Sequence, residues 1–137
     1  MCVKYVYFSA LWGVVNNAGI ARPRGFLEFT RREDYEKTAA VNLFGAIDVT
    51  LTFLPLLKNG GGRLAQITSV AGRNAITSMA GGYNEAKHGL EAFSDNVRYV
   101  LAPIPAWLYQ YCTVTVTQRE INSKLSYLLY IKPITSI

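Results

Sequence analysis

The sequence is poor in residues that bind metals or cross-link chains. Its 137 residues include one histidine and two cysteines. Cys2 and Cys112 form neither a C-x-x-C pair nor any other metal-ligand spacing, so no metal site is expected. One disulfide bridge between them is conceivable, but free thiols in an intracellular protein are the favoured interpretation. The cytoplasm, the endoplasmic reticulum membrane and the mitochondrion are not distinguished.

Clustered positive charge is also missing. The formal net charge of +5 suits an anionic partner such as a dinucleotide, a nucleic acid or a membrane surface. The 14 basic residues are scattered, however, and Arg31 and Arg32 are the only adjacent pair. Without a basic cluster and interleaved aromatic residues, nucleic-acid binding is not expected. The apolar residues 1–12 are too few to span a bilayer, and membrane association stays open.

The remaining composition is that of a globular α/β domain. Half of the residues are apolar and 17% are charged. The apolar residues 11–15 predict a short strand buried on both faces, and residues 63–68 predict a second strand. Residues 30–33 fit a capping box, so a long helix is expected between the strands. Together these elements predict one parallel crossover unit.

Two amphipathic helices are expected to cover this sheet. The first begins near Arg31 and ends at Pro55 and the glycines at 60–62, which are expected to stop a helix rather than to bind phosphate. The second runs from about Gly82 to Leu101. The spacing of apolar residues predicts their buried faces: Leu43, Ile47, Leu51 and Leu54 on the first helix, and Ala86, Leu90, Phe93, Val97 and Leu101 on the second.

A tyrosine and a lysine four residues apart give the strongest chemical signal. Tyr83 and Lys87 share one side of the second helix, beside its apolar stripe, whereas His88 is expected to be an incidental helix residue. An ammonium near a phenol favours the phenolate, so the tyrosine can exchange a proton with an alcohol or carbonyl oxygen. Ser69, fourteen residues before Tyr83, offers a hydroxyl to the same oxygen. This set suits proton transfer coupled to hydride transfer on a cofactor.

The polar motifs follow the two expected strands. Asn-Asn-Ala-Gly at residues 16–19 comes after the first strand, and Ser69 comes after the second. Carboxyl ends of adjacent parallel strands lie at one edge of the sheet, where ligands bind in open α/β sheets.

In this order, Asn-Asn-Ala-Gly, Asn42 within the long helix, Ser69 and Tyr-x-x-x-Lys resemble the short-chain dehydrogenase/reductase family. The segment Leu-Glu-Phe-Thr at 27–30 and the segment at 90–95 are similar to the branch with retinol, hydroxysteroid and 3-hydroxybutyrate dehydrogenases. The resemblance covers residues 11–101. It implies a partial Rossmann-like, doubly wound parallel sheet and an enzyme that interconverts a small alcohol and its ketone or aldehyde with NAD or NADP.

The resemblance also implies catalytic roles for four residues. Tyr83 would be the general acid/base, and Lys87 would support it and bind the nicotinamide ribose. Ser69 would orient the substrate oxygen, with Thr68 as a weak rival. Asn42 would interrupt the helix and bind a water that links the lysine to solvent. The plain alternatives are a surface tyrosine, a solvated lysine, a serine that caps the next turn and a tolerated helix asparagine.

On the cofactor side, the resemblance implies that Asn17, Ala18 and Gly19 line the adenosine part of the dinucleotide. A simple strand-end turn is the alternative for these three residues.

Other features of the family are not found in the sequence. No T-G-x-x-x-G-x-G motif is present, residues 118–120 are Gln-Arg-Glu where the family has a Pro-Gly turn, and residues 102–137 resemble nothing familiar beyond an alternating strand at 112–117. We therefore expect residues 1–137 to form a single incomplete domain that lacks the N-terminal βαβ cofactor-binding unit. The alternative function is an inactive fragment that associates with other chains, or with its own copies, through an exposed sheet edge.

Overall fold

The computed structural model describes residues 9–21, 25–76, 81–103 and 106–111. Strands and helices alternate along these residues: β1 (Gly13–Asn16), α1 (Arg32–Ala39), α2 (Gly45–Gly60), β2 (Arg63–Ile67), α3 (Tyr83–Leu101) and β3 (Trp107–Tyr111). A π-helical turn, Ala40–Phe44, joins α1 to α2 without a break. Short 3-10 turns lie at Leu27–Phe29 and Val70–Gly72.

The three strands form one parallel sheet in the order β1-β2-β3. Val14, Leu64 and Leu108 lie side by side across the sheet, and two residues later a second row aligns. Side chains two residues apart on a strand share a face, so both rows lie on the same face. The predicted α/β class and the parallel crossover are confirmed.

The first row forms the apolar core. Leu64 and Leu108 are almost completely buried, and they pack with Leu57 of α2 and with Val97 and Leu101 of α3. Burying one such leucine contributes about 1.5–3 kcal/mol. Both helices therefore cover the same face of the sheet, at the end where the strands begin.

The second row is polar and equally buried. It consists of Asn16, Gln66 and Gln110, at 9%, 0% and 2% exposure. The Asn16 Nδ2 donates to Gln66 Oε1 (3.0 Å) and to the Thr50 hydroxyl (2.9 Å), and Gln66 Nε2 donates to the same hydroxyl (3.0 Å). That hydroxyl donates to the Ala46 carbonyl (2.7 Å). The Thr50 hydroxyl thus uses its full capacity of one donor and two acceptor positions.

The prediction that the first strand is buried on both faces is wrong. Val15 is 66% exposed, and Trp12 just before the strand is 75% exposed. Two features explain this difference. Within the described residues β1 lies at the edge of the sheet, and α2 and α3 pack on only one of its faces.

The first helix begins near Arg31 and ends at the glycines after residue 59, as predicted, but its capping pair and the role of Pro55 differ from the prediction. The capping residue is Arg31, whose N–H donates to Asp34 Oδ2 (2.9 Å), whereas the Thr30 hydroxyl donates to the Leu27 carbonyl. Pro55 lies inside the helix, which continues to Gly60 and ends at Gly61 in the left-handed conformation (φ 57°). Continued packing after the proline compensates for the backbone hydrogen bond that the proline removes.

The predicted buried face of this helix is only partly right, because Leu54 packs against the core but the fully buried residues before it lie one position earlier than predicted. The buried residues are mostly small or polar, and Leu51 is 56% exposed. They are Thr38, Asn42, Ala46, Thr50 and Leu57. The polar row of the sheet explains this choice, because the Thr50 hydroxyl bonds to Asn16 and Gln66 and the Ala46 carbonyl accepts from Asn16.

On α3 the predicted apolar residues are buried, with Phe93 partly so. The strand expected at residues 112–117 lies outside the described residues, and so do both cysteines. The last described strand, β3, begins at Trp107.

By length and composition alone, the continuous run Arg32–Gly60 could cross a membrane. In the structure Leu57 of this run packs into the core on the sheet.

Close packing at the end of α2 generates the first prediction. A Cβ on Gly62 would lie 2.3 Å from the Leu11 carbonyl oxygen, whereas one on Gly25 would have no atom within 4 Å. We expect Gly62→Ala to lower the free energy of unfolding by about 1–3 kcal/mol and Gly25→Ala to have little effect. Urea unfolding followed by circular dichroism measures both, and equal stabilities would contradict the close approach of residue 11 to this glycine.

The buried polar row generates a second prediction. Gln66→Leu keeps the volume but removes one partner each from Asn16 and Thr50, at an expected cost of about 1–3 kcal/mol. Thr50→Val removes the shared hydroxyl, and the double variant is expected to cost less than the sum of the two single changes. Additive free energies of unfolding from urea titrations would show that the two side chains do not act together.

Candidate active site

The ends of β1 and β2 form the edge on which the candidate residues meet. Asn16 is paired with Gln66, one residue before β2 ends at Ile67. The loop that begins at Asn17 and the segment that carries Ser69 therefore leave the sheet side by side.

Lys87 contacts this edge of the sheet at the end of β2. Its side chain is buried, with the residue 5% exposed, and its ammonium donates to the carbonyl of Ile67 (2.7 Å). Burial lowers the pKa of Lys87 from its usual value of 10.5, and the negative charge of Glu91 opposes this shift. A cationic side chain is thus held in a largely dry position at the end of the central strand.

Tyr83 is the first residue of α3, one turn before Lys87. It is 8% exposed, and the Lys87 Nζ lies 5.9 Å from the centre of its ring. The prediction that both side chains lie beside the buried stripe is wrong. Both side chains extend the buried stripe toward the helix N-terminus. The helix face that packs on the core at Val97 and Leu101 lies at the ends of the strands at its other end.

A glycine sets the starting point of α3. Gly82 has φ +94°, and a Cβ there would lie 2.8 Å from the Tyr35 Cα of α1. Both the conformation and the contact exclude a larger residue. The first turn of α3, with Tyr83, therefore sits directly against α1.

Asn42 holds the loop after β1. It lies in the π-helical turn, as expected for a residue that interrupts the helix, and is 1% exposed. Its Nδ2 donates to the Ile20 carbonyl and its Oδ1 accepts from the Ile20 amide, both at 2.7 Å. A Cβ on Gly19 would lie 3.5 Å from the Asn42 Oδ1 and 3.9 Å from the Lys87 Nζ. The loop, the π turn and the lysine therefore meet at Gly19.

Ser69 is completely buried at the N-terminus of a 3-10 turn. Its Oγ accepts a hydrogen bond from the Ala71 amide (3.2 Å), so the capping role considered as the alternative is one that it fulfils. The hydroxyl proton is not used in that bond. Thr68, the rival for the catalytic role, is buried as well, at 1% exposure. Asn17 and Ala18 are exposed at the same edge.

These groups can bind a polar ligand at the strand ends. An ammonium has three donors, and the Ile67 carbonyl takes one of those of Lys87. The hydrogen atom of Gly19 leaves space within 4 Å of the Lys87 Nζ. The remaining donors of the ammonium suit a ligand that carries hydroxyl oxygens.

Sequence reasoning missed Asn84 and the backbone groups of Ile20 and Ile67. The sequence pattern assigns no role to Asn84, although asparagine in a first helical turn commonly bonds to nearby backbone. Here its side chain bonds to both the amide and the carbonyl of Ile76. His88 is exposed, with a ring nitrogen 2.9 Å from the Asn84 carbonyl oxygen, which agrees with an incidental residue.

Sequence comparison identifies similar proteins over most of the described residues. A family model described as short chain dehydrogenase matches residues 3–118. Retinol dehydrogenase 16 of Mus musculus is 46% identical over 99 residues, which are 72% of this chain and 31% of the relative. The 17-beta-hydroxysteroid dehydrogenase type 6 of Bos taurus is 46% identical over 88 residues, 64% of this chain and 27% of the relative. The chain spans less than a third of the length of these relatives.

Solved structures agree with this assignment. A short chain dehydrogenase from Burkholderia cenocepacia in complex with NADP is 26% identical, with a TM-score of 0.73 over 84% of this chain and 48% of that one. One from Burkholderia phymatum in complex with NAD is 25% identical, with a TM-score of 0.71 over 80% and 40%. The predicted partial Rossmann-like parallel sheet is thereby confirmed. The chain belongs to the short-chain dehydrogenase family of oxidoreductases, in the branch that holds the retinol and hydroxysteroid dehydrogenases.

Proposed function

We propose that this chain carries the catalytic side of a nicotinamide-dependent oxidoreductase that interconverts an alcohol and a carbonyl of retinol, steroid or hydroxy-acid type. The observation that supports this most strongly is the buried ammonium of Lys87 beside the ring of Tyr83, at the edge where β1 and β2 both end.

Tyr83 is the proposed general acid/base. In reduction its phenol donates a proton to the carbonyl oxygen, and in oxidation its phenolate accepts one from the alcohol. Its surroundings suit this role, because the positive charge of Lys87 lies near its ring at a site shielded from water and Tyr83 is the first residue of α3.

Ser69 is the proposed second contact to the reacting oxygen. Its Oγ accepts from the Ala71 amide, which orients the side chain and leaves the hydroxyl proton for the substrate. Such a donor stabilises negative charge that develops on the oxygen in the transition state. Asn42 acts at a distance by fixing the loop at Ile20, and it is the proposed holder of a water that links Lys87 to solvent.

The site fits the nicotinamide end of a dinucleotide. When bound, NAD or NADP accepts or supplies the hydride. Lys87 would hold the ribose hydroxyls, and Asn17, Ala18 and Gly19 would line the adenosine side, because all of them lie at the same sheet edge. The 137 residues contain no Gly-rich pyrophosphate motif, so binding of the dinucleotide to this chain alone is expected to be weak.

A second candidate function is association with other chains without catalysis. Exposed apolar side chains support it. On the β1 side these are Trp12 and Val15, and on α2 Leu51 is 56% exposed. Such surfaces commonly bind another protein, a second copy or a membrane. Titration with NADH, followed by Trp fluorescence, separates the candidates, since saturable quenching, at whatever NADH concentration it is reached, is expected only for the oxidoreductase. Light scattering reports the association.

The acid/base proposal predicts that removal of the phenol oxygen of Tyr83 strongly lowers the rate of the reaction. Tyr83→Phe is expected to lower kcat for oxidation of all-trans-retinol by about a hundredfold or more, because the proton has no acceptor. Tyr99→Phe is the matched control, since Tyr99 lies on the same helix and is 71% exposed. Absorbance of NADH at 340 nm measures the rate, and equal activity of the two variants would refute the role of Tyr83.

The burial of Lys87 predicts a pH dependence of stability. The pKa of Lys87 is lower in the folded chain than its usual value of 10.5 in the unfolded chain. At a pH between these two values, the unfolded chain binds more protons than the folded chain. The free energy of unfolding contributed by this residue must therefore rise with pH in that window. Lys87→Met removes this rise, so the wild type is expected to gain stability relative to the variant as the pH approaches 10.5.

Urea titrations between pH 7 and 10.5 provide the measurement. Lys58→Met, which removes an exposed lysine near the end of α2, controls for the loss of one charge. A stability difference between wild type and Lys87→Met that stays constant with pH would show that the ammonium is not desolvated.

A further inference from the structure

One side of α3 holds the segment that carries Ser69. Asn84 bonds to Ile76 through both parts of its amide: Oδ1 accepts from the Ile76 amide (3.1 Å), and Nδ2 donates to the Ile76 carbonyl (3.0 Å). A side-chain amide that bonds to both groups of one residue fixes its position and orientation, as a neighbouring strand would.

Two further contacts lie along the same side of the helix. Lys87 bonds to the Ile67 carbonyl, and Glu91 forms an ion pair with Arg73 (3.6 Å). Residues 84, 87 and 91 follow the helical spacing that places side chains on one side. The segment 67–76 is therefore attached to α3 near both ends and in between, and Ser69 lies inside it.

The helix also approaches this segment very closely. A Cβ on Gly72 would lie 2.7 Å from the Lys87 carbonyl oxygen and 3.1 Å from the Glu91 Cγ. Such packing limits how near the segment can come, but it does not set its position along the helix. Directional hydrogen bonds must do that.

The three polar contacts differ in how well they can hold the segment. The Arg73 side chain is 39% exposed, so its ion pair with Glu91 contributes little. Lys87 bonds to Ile67, which precedes Ser69 in the chain at the end of β2. Asn84 holds the segment at Ile76, beyond both Ser69 and Arg73, and it directly follows the proposed acid/base Tyr83.

We propose that Asn84 is a positioning residue for the reaction: by holding Ile76, it sets the position of Ser69 relative to Tyr83. This inference rests on the proposed function. Its physical basis is that a reacting oxygen must contact both hydroxyls at once. A displacement of about 1 Å between catalytic groups is enough to cost about a hundredfold in rate.

The test compares Asn84→Ala with Glu85→Ala in the full chain. Glu85 is the exposed neighbour on the same helical turn and has no assigned role. All-trans-retinol and cyclohexanol with NAD serve as substrates, and three quantities are measured. These are kcat and KM, the melting temperature, and hydrogen exchange of the peptide that contains the Ile76 amide.

We expect Asn84→Ala to lower kcat by about 10- to 100-fold, with KM for cyclohexanol changed less than about twofold. Exchange at Ile76 is expected to become faster by about tenfold, because its amide loses its acceptor. Glu85→Ala is expected to match the wild type in all three quantities. A purely structural role would instead lower the melting temperature and the amount of active protein without this separation of kcat from KM.

Unchanged exchange at Ile76 in Asn84→Ala would overturn the proposal, whatever the activity. Faster exchange with unchanged kcat would also overturn it, because the segment would then move without consequence for the reaction. A wild-type chain that oxidises neither alcohol would refute the proposed function instead. In that case the exchange rate alone decides whether Asn84 holds the segment.

Discussion

A single ammonium at the end of the central strand is the interaction on which the candidate site depends. Lys87 reaches from α3 to the last carbonyl of β2, and burial lowers its pKa. Burying a charge is costly unless it is well hydrogen-bonded, so this lysine stabilises the fold less than an apolar residue would. The lysine instead positions the helix. It fixes the first turns of α3, and with them Tyr83, against the edge where the loops after β1 and β2 leave the sheet.

The same face of the sheet changes character along its length. Where the strands begin, Val14, Leu64 and Leu108 form an apolar row under the helices; two residues later, Asn16, Gln66 and Gln110 form a buried polar row. Helix α3 changes in parallel, from Leu101 and Val97 to Lys87 and Tyr83. One end of the layer therefore supplies stability and the other supplies hydrogen-bonding groups. At the transition between them, the Thr50 hydroxyl is fully satisfied by Asn16, Gln66 and the Ala46 carbonyl.

The sequence was sufficient for β1, β2 and α3, and insufficient for β3 and for the faces of the longest helix. Apolar patterns located β1, β2 and α3 within one or two residues, and the Tyr-x-x-x-Lys spacing located the candidate site. Apolar spacing did not predict the buried face of α2, because Thr50 on that face and Asn42 in the turn before it are polar. Both are buried with hydrogen bonds, which a hydrophobic pattern cannot reveal. Sequence patterns did not identify Asn84 for the same reason. Its hydrogen bonds go to Ile76, a residue in a different segment, and only the fold brings the two together.

Under the proposed function, the groups for proton transfer and the groups for cofactor affinity belong to different parts of the enzyme. Tyr83, Lys87 and Ser69 lie on or beside α3 and β2 and are positioned by contacts among described residues: Gly82 against Tyr35, Lys87 against Ile67, and Ser69 against Ala71. None of these contacts depends on a Gly-rich pyrophosphate loop. A deficit in dinucleotide binding would therefore raise the KM for the cofactor while the turnover at saturation still reports the proton-transfer geometry. For this reason kcat, rather than cofactor affinity, is the quantity that measures how well the site is assembled.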